Sequence, residues 1–467
     1  MRTFALLIDG QSVAPNADLA VINPADESVF THCPRTTPAL LEQAVTAARR
    51  SFASWRTTPF ADRAGILLKL ADRIDANKDE IARVLTLEQG KPIATAENEV
   101  SYAALFCRHF AGFTFPPQIV QDDATQRVEV HRKPLGVVAA IVPWNFPFLQ
   151  AVYKTAPALL MGNTVVLKPA PTTPLTSLFL GELIKDLVPP GVVNVVTDGG
   201  DIGPLLSAHP DIAKVSFTGS TAVGRSVMAA AAPTLKRLTL ELGGNDAAIV
   251  LDDVDVDDVA AKIFGGAFFN SGQVCIAIKR IFVQEDIYDR FCDAMAGLAG
   301  KAVVGNGLDA ASEFGPLQNK AQFQRTQRYM ELARTHGRII AGGKTMGPGY
   351  FFQPTLVRDI AEGNPLVDEE TFGPVRPLIK FKTPEEAVAR ANQSPYGLGG
   401  SVWSGSIDRA QALAGQLECG TAWVNQHLGF GPHIPFGGTK QSGLGVEFSP
   451  EGVLEFSDIQ VVSIAKG

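Results

Sequence analysis

A single cysteine in a polar loop is the first residue of this sequence whose surroundings suggest covalent chemistry. Cys275 follows Asn270-Ser271-Gly272-Gln273-Val274 and precedes Ile276-Ala277. A free cysteine between apolar residues is ordinarily a small buried side chain. The glycine and the polar residues before it, however, are typical of a helix end that meets a loop, where a thiol can be exposed and ionised. Cys275 is therefore a candidate nucleophile, and core packing is the alternative.

Two further polar residues lie at the ends of apolar segments. Glu241 stands between Leu240 and Leu242, and Asn145 lies in Pro143-Trp144-Asn145-Phe146-Pro147. An acid among leucines needs an ion-pair partner or a raised pKa, and functional sites tolerate such costs. The prolines would hold the amide of Asn145 at the carboxyl end of a strand, where ligands bind in open α/β sheets. The alternatives are a buried salt bridge for Glu241 and a turn role for Asn145.

Two glycine-rich segments are candidates for a phosphate-binding loop. Gly305-Asn306-Gly307-Leu308-Asp309-Ala310 fits the dinucleotide pattern, but neither a convincing helix nor an acid about 20 residues later follows it, so we interpret it as a turn. Phe217-Thr218-Gly219-Ser220-Thr221-Ala222-Val223-Gly224 follows a predicted strand and opens a helix, whose N-terminal N–H groups suit a pyrophosphate. A plain Ser/Thr helix cap is the alternative for this second segment.

Strands and helices alternate through the part of the chain that carries these residues. A helical stretch runs from Thr37-Pro38 to Gln89-Gly90 with one break, and after Pro134 short β-branched runs alternate with apolar-periodic helices. The predicted strands are 136–142, 164–167, 192–196, 214–217 and 238–240, and the predicted helices are 149–160, 177–187 and 222–231. This alternation predicts a parallel sheet covered on both faces. A strand at 247–251 and a helix at 256–269 open a second α/β unit that ends near residue 430.

Composition narrows the class of protein further. The 467 residues include 46% apolar and 19% charged side chains, with 41 Lys and Arg against 48 Asp and Glu, a net charge of −7. This is an ordinary globular composition that argues against nucleic acid and anionic membranes as partners. The five cysteines are far apart and form no CxxC pair, so we expect no disulfide framework and no metal site. No apolar stretch is long enough for a membrane span, and the stretch at 1–10 is too short for a signal peptide. Together with the scattered cysteines, this leads us to expect a reducing cytoplasm as the compartment.

Seven motifs, in the order that the family has, give the sequence a strong resemblance to the NAD(P)-dependent aldehyde dehydrogenase superfamily. The resemblance covers nearly the whole chain, from Ile8-Asp9-Gly10 to Glu455-Phe456, and includes the interval of 34 residues between Glu241 and Cys275. The motifs are Pro143-Trp144-Asn145-Phe146-Pro147, Lys168-Pro169-Ala170, Phe217-Thr218-Gly219-Ser220-Thr221, Glu241-Leu242-Gly243-Gly244-Asn245, Gly272-Gln273-Val274-Cys275, Glu370-Thr371-Phe372-Gly373-Pro374-Val375 and Pro435-Phe436-Gly437-Gly438.

The resemblance implies an α/β fold with a Rossmann-type cofactor domain, an α/β catalytic domain and a small β oligomerisation arm. The cofactor domain would comprise residues 1–116 and 134–242, and the catalytic domain residues 243–451. The arm would comprise 117–133 and 452–467, where 125–133 and 459–464 alternate like exposed antiparallel strands. A homodimer or homotetramer is expected.

The resemblance also implies a role for each matching residue. Cys275 would be the nucleophile, Glu241 the general base, Asn145 an oxyanion donor beside the N–H of Cys275, and Lys154 part of a proton relay. Cofactor residues would be Lys168 at the adenosine ribose, Ser220 with 219–224 at the pyrophosphate, Glu370 at the nicotinamide ribose and Phe372 beside it. The implied cofactor set is completed by Trp144, Ala170, Pro171, Gly219, Val223 and Leu242.

Two features of the sequence bear on cofactor and substrate. Pro171 stands where members strict for NAD often carry a ribose-binding glutamate, so NAD is our first choice while NADP or dual use stays open. The positions that match the family's substrate tunnel are mainly aromatic and apolar and favour an uncharged aldehyde, although His427 and nearby His433 leave room for an anion. These positions are Phe146, Gln150, Tyr153, Phe269, Val274, Ile276, His427 and Phe436.

The predicted reaction is oxidation of an aldehyde to its carboxylic acid through a hemithioacetal and a thioester on the cysteine. A CoA-acylating aldehyde dehydrogenase is the nearest alternative, but those relatives usually lack a base at the position of Glu241. A cofactor-independent thiol esterase is a second alternative, which needs a Cys–His pair that the sequence does not offer in a recognisable motif. A non-catalytic scaffold is a third, and the joint presence of Cys275, Glu241, Asn145 and Glu370 argues against it.

Overall fold

The computed structural model describes residues 3–15 and 18–466. Residues 1–2, 16–17 and 467, which fall in the segments assigned above to the cofactor domain and the arm, lie outside the described residues. The helices are α1 Pro38–Trp55, α2 Phe60–Ala76, α3 Lys78–Gln89, α4 Ile93–Ala111, α5 Pro147–Leu160, α6 Leu175–Ile184, α7 Ile202–Ala208, α8 Thr221–Ala231, α9 Val256–Phe268, α10 Tyr288–Lys301, α11 Lys320–His336, α12 Pro365–Asp368, α13 Pro384–Asn392, α14 Ile407–Ala414 and α15 Ser449–Leu454. The strands are β1 Leu6–Ile8, β2 Gln11–Val13, β3 Leu19–Ile22, β4 Val29–Cys33, β5 Gln118–Asp122, β6 Gln126–Pro134, β7 Val137–Ile141, β8 Thr164–Lys168, β9 Val193–Val195, β10 Ile212–Thr218, β11 Arg237–Glu241, β12 Asp246–Val250, β13 Ile278–Gln284, β14 Arg338–Ala341, β15 Thr345–Met346, β16 Phe351–Phe352, β17 Thr355–Arg358, β18 Val375–Phe381, β19 Tyr396–Gly397, β20 Gly399–Trp403, β21 Thr421–Val424, β22 Thr439–Lys440, β23 Gly443–Leu444 and β24 Ser457–Ala465.

The first sheet has the strand order β2-β1-β9-β8-β7-β10-β11-β23. Its five central strands are parallel, and β7 and β8 are buried along their whole length, as expected for apolar strands covered on both faces. In chain order the parallel strands run 3-2-1-4-5, so the topology reverses between β7 and β10. The carboxyl ends of strands beside such a reversal form the ligand-binding crevice of open α/β sheets. Asn145 follows β7 and Ser220 follows β10, so both lie at this crevice.

The second sheet has the order β14-β17-β18-β13-β12-β20-β21 and is parallel except at its β14 edge. Asp246, at the start of β12, pairs with Ile278, at the start of β13. Cys275, three residues before Ile278, and Gly244 therefore lie together at the amino-terminal edge of this sheet. Glu241 is at the carboxyl end of β11 in the first sheet, and Asp246 is at the amino end of β12 in the second. Because only four residues separate them, the amino-terminal edge of the second sheet faces the crevice of the first.

The arm is a separate three-stranded antiparallel sheet in the order β24-β6-β5. β24 pairs with β6 from Ser457–Pro134 to Ala465–Gln126 without interruption. The two alternating segments noted in the sequence therefore form one sheet, and β5, which the alternation did not indicate, adds a third strand.

Two local features differ from the sequence-based expectation or extend it, and a third agrees with it. The stretch 37–90 contains two breaks and not one, because α2 and α3 meet at Asn77 after the break that follows α1. The short strand β23, in the segment expected for the catalytic domain, pairs antiparallel with β11 at the edge of the first sheet. The segment 305–310 is a turn without a following helix, as we interpreted it.

Among the described residues, no helix is long and apolar enough to cross a membrane.

Candidate active site

Cys275 is positioned by a tight reversal of the chain after α9. Asn270, Ser271 and Gly272 all have positive φ angles, of 51°, 56° and 75°. A Cβ atom on Gly272 would lie 2.5 Å from the carbonyl oxygen of Gly373, so a glycine is required for this close approach as well as for the backbone conformation. The reversal brings the loop that carries the thiol against the loop that follows Glu370.

Asn145 lies directly against the same loop. Its Nδ2 donates to the carbonyl oxygen of Gln273 at 3.1 Å, and its Oδ1 accepts from Nε2 of Gln150 at 3.2 Å. The main-chain oxygen of Asn145 accepts a hydrogen bond from Nζ of the buried Lys91 at 2.8 Å. Buried side chains with satisfied hydrogen bonds have few alternative rotamers, so the amide is preorganised two residues from Cys275.

Glu241 ends β11 and is almost fully buried. Within the part of the chain that the structure describes, neither of its carboxylate oxygens has a hydrogen-bond partner. Burial raises the pKa of Glu241 well above its ordinary value; the nearby carboxylate of Glu447 raises it further and the ammonium of Lys154 lowers it. A carboxyl group with a raised pKa is suited to act as a general base near neutral pH.

Lys154 and Glu447 form a buried ion pair beside this base. Nζ of Lys154 also donates to Oγ of Ser216 at 3.1 Å. The ion pair therefore keeps one cation and one anion close to Glu241, with opposite effects on its pKa.

The thiol of Cys275 is half-buried, and its electrostatic environment does not favour the thiolate. Burial raises the pKa of Cys275 to about 12; the ammonium of Lys279 lowers it, and Glu241, Glu370 and Asp246 raise it. Because the thiolate is the reactive form, an acid-rich surrounding of this kind has to be offset by a cation or by main-chain dipoles.

Two cavities meet at Cys275. The first, of about 80 Å³, is strongly apolar and the second, of about 160 Å³, lies along the crevice of the first sheet. The apolar cavity is lined by Phe146, Leu149, Gln150, Tyr153, Phe269, Val274, Cys275, Ile276, Leu428, Phe430, Phe436 and Phe448. The crevice cavity is lined by Pro143, Trp144, Asn145, Thr218, Gly219, Ser220, Leu242, Gly243, Cys275, Gln322, Arg325, Glu370 and Phe372.

The crevice cavity has the chemistry that a dinucleotide requires. Oγ of Ser220 caps α8 by accepting from the N–H of Val223 at 3.3 Å. The first N–H groups of a helix have no partner within it, so this end of α8 suits an anion. Oγ1 of Thr218 is buried and has no hydrogen-bond partner among the described residues. The rings of Trp144 and Phe372 meet edge to face with centroids 5.3 Å apart. These residues fit a ligand with a pyrophosphate at one end and a flat polar ring at the other.

The remaining residues expected at the cofactor lie further along the first sheet. Lys168 ends β8 and is buried, and its Nζ forms an ion pair with Oδ1 of Asp198 at 2.8 Å. Ala170 and Pro171 are half-buried, and the side chain of Val223 is 49% exposed. Neither the carboxylate of Asp198 nor its pairing with Lys168 was indicated by the sequence patterns.

A larger cavity, of about 810 Å³, opens outside the apolar cavity and shares five residues with it: Phe146, Leu149, Phe269, Leu428 and Phe430. The rings of Phe146 and Phe269 stack with centroids 6.1 Å apart. His427 lines this outer cavity and not the inner one, and its imidazole bonds to the carbonyl of Ile276 at 2.8 Å and to Oγ of Ser401 at 3.0 Å. Burial lowers the pKa of His427 to about 3, so the ring is neutral at physiological pH.

Sequence reasoning missed several side chains that complete this site. Glu447 beside the base, Lys279 beside the nucleophile loop and Asp198 beside Lys168 make charged contacts at the site. Leu428, Phe430 and Phe448 add to the wall of the apolar cavity. The signal available for Glu447 was an acid next to Val446 and Phe448, the same signal that singled out Glu241.

The fold and the geometry define an α/β protein in which a thiol separates an apolar cavity from a dinucleotide-type crevice. The sequence model of the aldehyde dehydrogenase family matches residues 11–462. The rat protein named aldehyde dehydrogenase, cytosolic 1, is 40% identical over 457 residues, which cover 95% of this chain and 91% of the relative. The mitochondrial aldehyde dehydrogenase of Leishmania tarentolae is 41% identical over 474 residues, covering 98% and 94%.

A solved structure points to the same family. Betaine aldehyde dehydrogenase from Staphylococcus aureus, crystallised in complex with NAD+, superposes with a TM-score of 0.97 at 33% identity, covering 100% of this chain and 95% of that one. The chain belongs to the aldehyde dehydrogenase family, and the predictions of an α/β fold and of an NAD(P)-dependent oxidoreductase that acts on an aldehyde are confirmed.

Proposed function

We propose that this enzyme oxidises its aldehyde at Cys275, with Glu241 as general base and Asn145 as an oxyanion donor. The observation that carries the proposal is that Cys275 borders both the apolar cavity and the crevice cavity. An aldehyde in the first and a hydride acceptor in the second would both come within reach of the sulfur, as proximity catalysis requires.

In the proposed first half-reaction, the thiolate of Cys275 bonds to the aldehyde carbon and the carbonyl oxygen becomes an oxyanion. The amide of Asn145 and the N–H of Cys275 stabilise this oxyanion, and the loss of one such donor typically costs about 10²–10³ in rate. The C–H bond of the adduct then breaks with its electron pair, for which oxidised nicotinamide supplies the acceptor when it is bound. The carbon–oxygen double bond re-forms and leaves a thioester on Cys275.

In the proposed second half-reaction, Glu241 removes a proton from water while the water oxygen attacks the thioester. The C–S bond breaks, the carboxylic acid leaves and the sulfur departs as the thiolate with which the cycle began, while the proton taken from water stays on Glu241. The burial of Glu241 and the closeness of Glu447 support this role, because both raise its pKa above the ordinary value and so make the carboxylate a stronger base. Lys154 would stabilise the charged form of Glu241 and belong to the route by which the proton leaves.

NAD is the proposed cofactor. Glu370 and Phe372 would hold the nicotinamide ribose and ring, Ser220 with the turn 219–224 the pyrophosphate, and Lys168 the adenosine ribose. Trp144, Ala170, Pro171, Gly219, Val223 and Leu242 would complete the lining. Pro171 has neither a carboxylate nor an N–H with which to bind ribose hydroxyls, so the proposal leaves room for NADP. The bound NAD+ of the Staphylococcus aureus enzyme supports NAD as the first choice.

An uncharged aliphatic or aromatic aldehyde is the proposed substrate class. The apolar lining of the inner cavity favours a hydrophobic group next to the reacting carbon, and the larger outer cavity leaves space for a bulkier distal part. His427 is neutral and its ring nitrogens are engaged in hydrogen bonds, so it is poorly suited to bind a carboxylate.

The two alternative activities are less well supported. A CoA-acylating enzyme needs no base to activate water, so the buried Glu241 argues against it. A thiol esterase of the Cys–His type needs an imidazole on the sulfur, whereas the ring nitrogens of His427 bond to Ile276 and Ser401.

A homodimer or homotetramer built through the arm is the proposed assembly. β24 exposes Ile459, Val461 and Ile464, and β5 exposes Ile119 and Val120. Exposed β-branched residues on a small sheet with free edges are typical of a surface that pairs with another copy. The cytoplasm is the proposed compartment, and the five unpaired cysteines support a reducing environment.

The test is an assay of reduced nicotinamide over a panel of aldehydes that vary in size and charge, with NAD and NADP compared at each. We expect turnover with water as acceptor, without added CoA, and higher kcat/KM for benzaldehyde and medium-chain alkanals than for succinic semialdehyde. Production of reduced cofactor only when CoA is added would replace the proposal with the acylating alternative.

A further inference from the structure

Lys279 is a fully buried lysine that the proposed mechanism does not use. Its Nζ donates to the carbonyl oxygen of Val274 at 2.9 Å and to that of Cys275. The same atom lies 3.4 Å from Oε1 of Glu370, which also accepts from the N–H of Gly244 at 3.0 Å. One ammonium group therefore links the main chain of the nucleophile to the carboxylate on the facing loop.

The other ionisable groups around the thiol make this ammonium distinctive. Glu241, Glu370 and Asp246 face Cys275 and oppose the formation of a thiolate, whereas Lys279 favours it. His427 and Tyr153 add no positive charge, since burial holds His427 neutral and keeps the phenol of Tyr153 protonated, its pKa being well above the ordinary value. Among the charges that act on Cys275, Lys279 is the cation that offsets the three acids.

Arg376 is a second buried cation between the same two loops, but it is arranged differently. Its guanidinium donates to the carbonyl oxygens of Gly272 at 3.2 Å and Gly373 at 2.6 Å, and to Oγ1 of Thr371 at 2.7 Å. It therefore holds the loops together without bonding to the main chain of Cys275. Arg376 provides a matched comparison, because its loss loosens the loops while leaving the charge nearest the thiol in place.

We propose that Lys279 is a positioning residue for the nucleophile: its buried ammonium, held by the carbonyls of Val274 and Cys275 and by Glu370, fixes the loop and stabilises the Cys275 thiolate. This inference rests on the proposed role of Cys275. The ammonium supplies two things that separate substitutions can remove, a hydrogen-bond donor and a positive charge.

The experiment measures the rate at which iodoacetamide alkylates Cys275 as a function of pH, in the absence of aldehyde and cofactor. The thiolate displaces iodide from carbon, so the midpoint of the profile reports ionisation of the thiol. The same measurement on Cys275→Ala is subtracted to remove the contribution of the other four cysteines. Lys279→Gln keeps a donor without the charge, Lys279→Met removes both, Lys279→Arg keeps the charge, and Arg376→Gln is the matched control.

We expect the midpoint to rise by at least about one pH unit in Lys279→Gln and Lys279→Met, which lowers the rate at pH 7.5 about tenfold. Lys279→Arg should restore most of the rate, and Arg376→Gln should change it less than about threefold at unchanged midpoint. Thermal melting checks that each variant is folded. If Lys279→Met does not fold, the conclusion is drawn from Lys279→Gln. Midpoints of the neutral variants equal to the native one, or a shift in Arg376→Gln as large as theirs, would overturn the inference.

The alkylation assay is independent of the dehydrogenase assay, so the two proposals can fail separately. A Lys279-dependent profile in a protein that oxidises no aldehyde would leave the inference standing and remove the proposed function. Normal aldehyde oxidation, together with an alkylation profile that does not change in the Lys279 variants, would leave the proposed function standing and overturn the inference.

Discussion

Cys275 and Glu241 each lie beside a buried lysine that contacts a glutamate, but the two lysines are connected to the site in different ways. Lys279 bonds to the main chain of the nucleophile and approaches Glu370 at 3.4 Å. Lys154 pairs with Glu447 and acts on Glu241 only through space. On the nucleophile side the cation favours the ionised thiol, whereas on the base side the neighbouring acid raises the pKa of Glu241.

This difference matches the chemistry expected at each position. A nucleophile must be ionised to react, so a fixed cation at its backbone is useful. A base must bind the proton it takes from water, so an environment that raises its pKa is useful. A lysine and a glutamate can therefore serve opposite purposes, depending on which of the two acts more strongly on the working group.

The largest expected effect comes from removing the nucleophile. Cys275→Ala should lower kcat on the order of 10⁶-fold, the scale measured when a covalent nucleophile is removed from a hydrolase. Reduced nicotinamide is the readout, and Cys419→Ser, which alters the other half-buried cysteine, is the control with near-native activity. Aldehyde oxidation by Cys275→Ala within tenfold of the native rate would exclude a cysteine mechanism.

Removing the base should affect the second half-reaction alone. Glu241→Gln keeps the shape of the buried side chain but cannot take a proton, so steady-state turnover should fall by about 10²–10⁴. A rapid burst of reduced nicotinamide, close to one equivalent per active site, should remain, as stopped-flow absorbance would record. If Glu241→Gln loses the burst as completely as it loses steady-state turnover, Glu241 is needed to form the thioester and not only to hydrolyse it.

Asn145→Ala tests whether the side-chain amide of Asn145 acts in the first half-reaction, in which Cys275 adds to the aldehyde. The loss of one oxyanion donor should lower the burst rate by about 10²–10³. The measurement is single-turnover kinetics with saturating aldehyde, checked against thermal melting because Asn145 also bonds to Gln273 and Gln150. If only KM changes and the burst rate does not, the amide binds substrate and does not stabilise the oxyanion.

The smallest effect concerns pH. Glu447 raises the pKa of Glu241, so Glu447→Gln should lower it and leave Lys154 free to lower it further. Since the base is active when deprotonated and activity is lost as pH falls through its pKa, the acid limb of kcat should move to lower pH by roughly one unit. The pH–rate profile of kcat under conditions of rate-limiting deacylation checks this, with burst amplitude measured in parallel. A shift of the acid limb to higher pH would contradict the assigned direction.

Local signals in the sequence were sufficient for the elements and for the residues that lie in motifs. The runs of β-branched residues after Pro134 predicted β7, β8, β10 and β11 to within about two residues at most ends, because apolar strands between helices have a clear composition. Asn145 follows such a strand and Glu241 ends one, whereas Cys275 lies in the loop between α9 and β13. The structure brings Asn145 and Cys275 to one crevice cavity, with Glu241 near enough to raise the pKa of the thiol.

The missed contacts are those made between distant parts of the chain. Lys154 and Glu447 are 293 residues apart, and no local pattern indicates that β11 and the 443–447 segment lie side by side. Lys279 lies near the start of β13, after Ile278 and before Arg280, where sequence alone does not distinguish an ion pair with Glu370 from an exposed end. Pairings of this kind depend on how the two sheets meet, which is a property of the tertiary structure.

The measurement that tests the central claim most directly is mass spectrometry of Glu241→Gln mixed with aldehyde and NAD and quenched within one turnover. We predict that the peptide containing Cys275 gains the mass of the acyl group, and that hydroxylamine, which cleaves thioesters, removes it. Native enzyme treated in the same way should show little of this adduct, because Glu241 hydrolyses it. If the Cys275 peptide is unmodified during the burst, or if another residue is acylated, the claim that Cys275 is the nucleophile and Glu241 the base is contradicted.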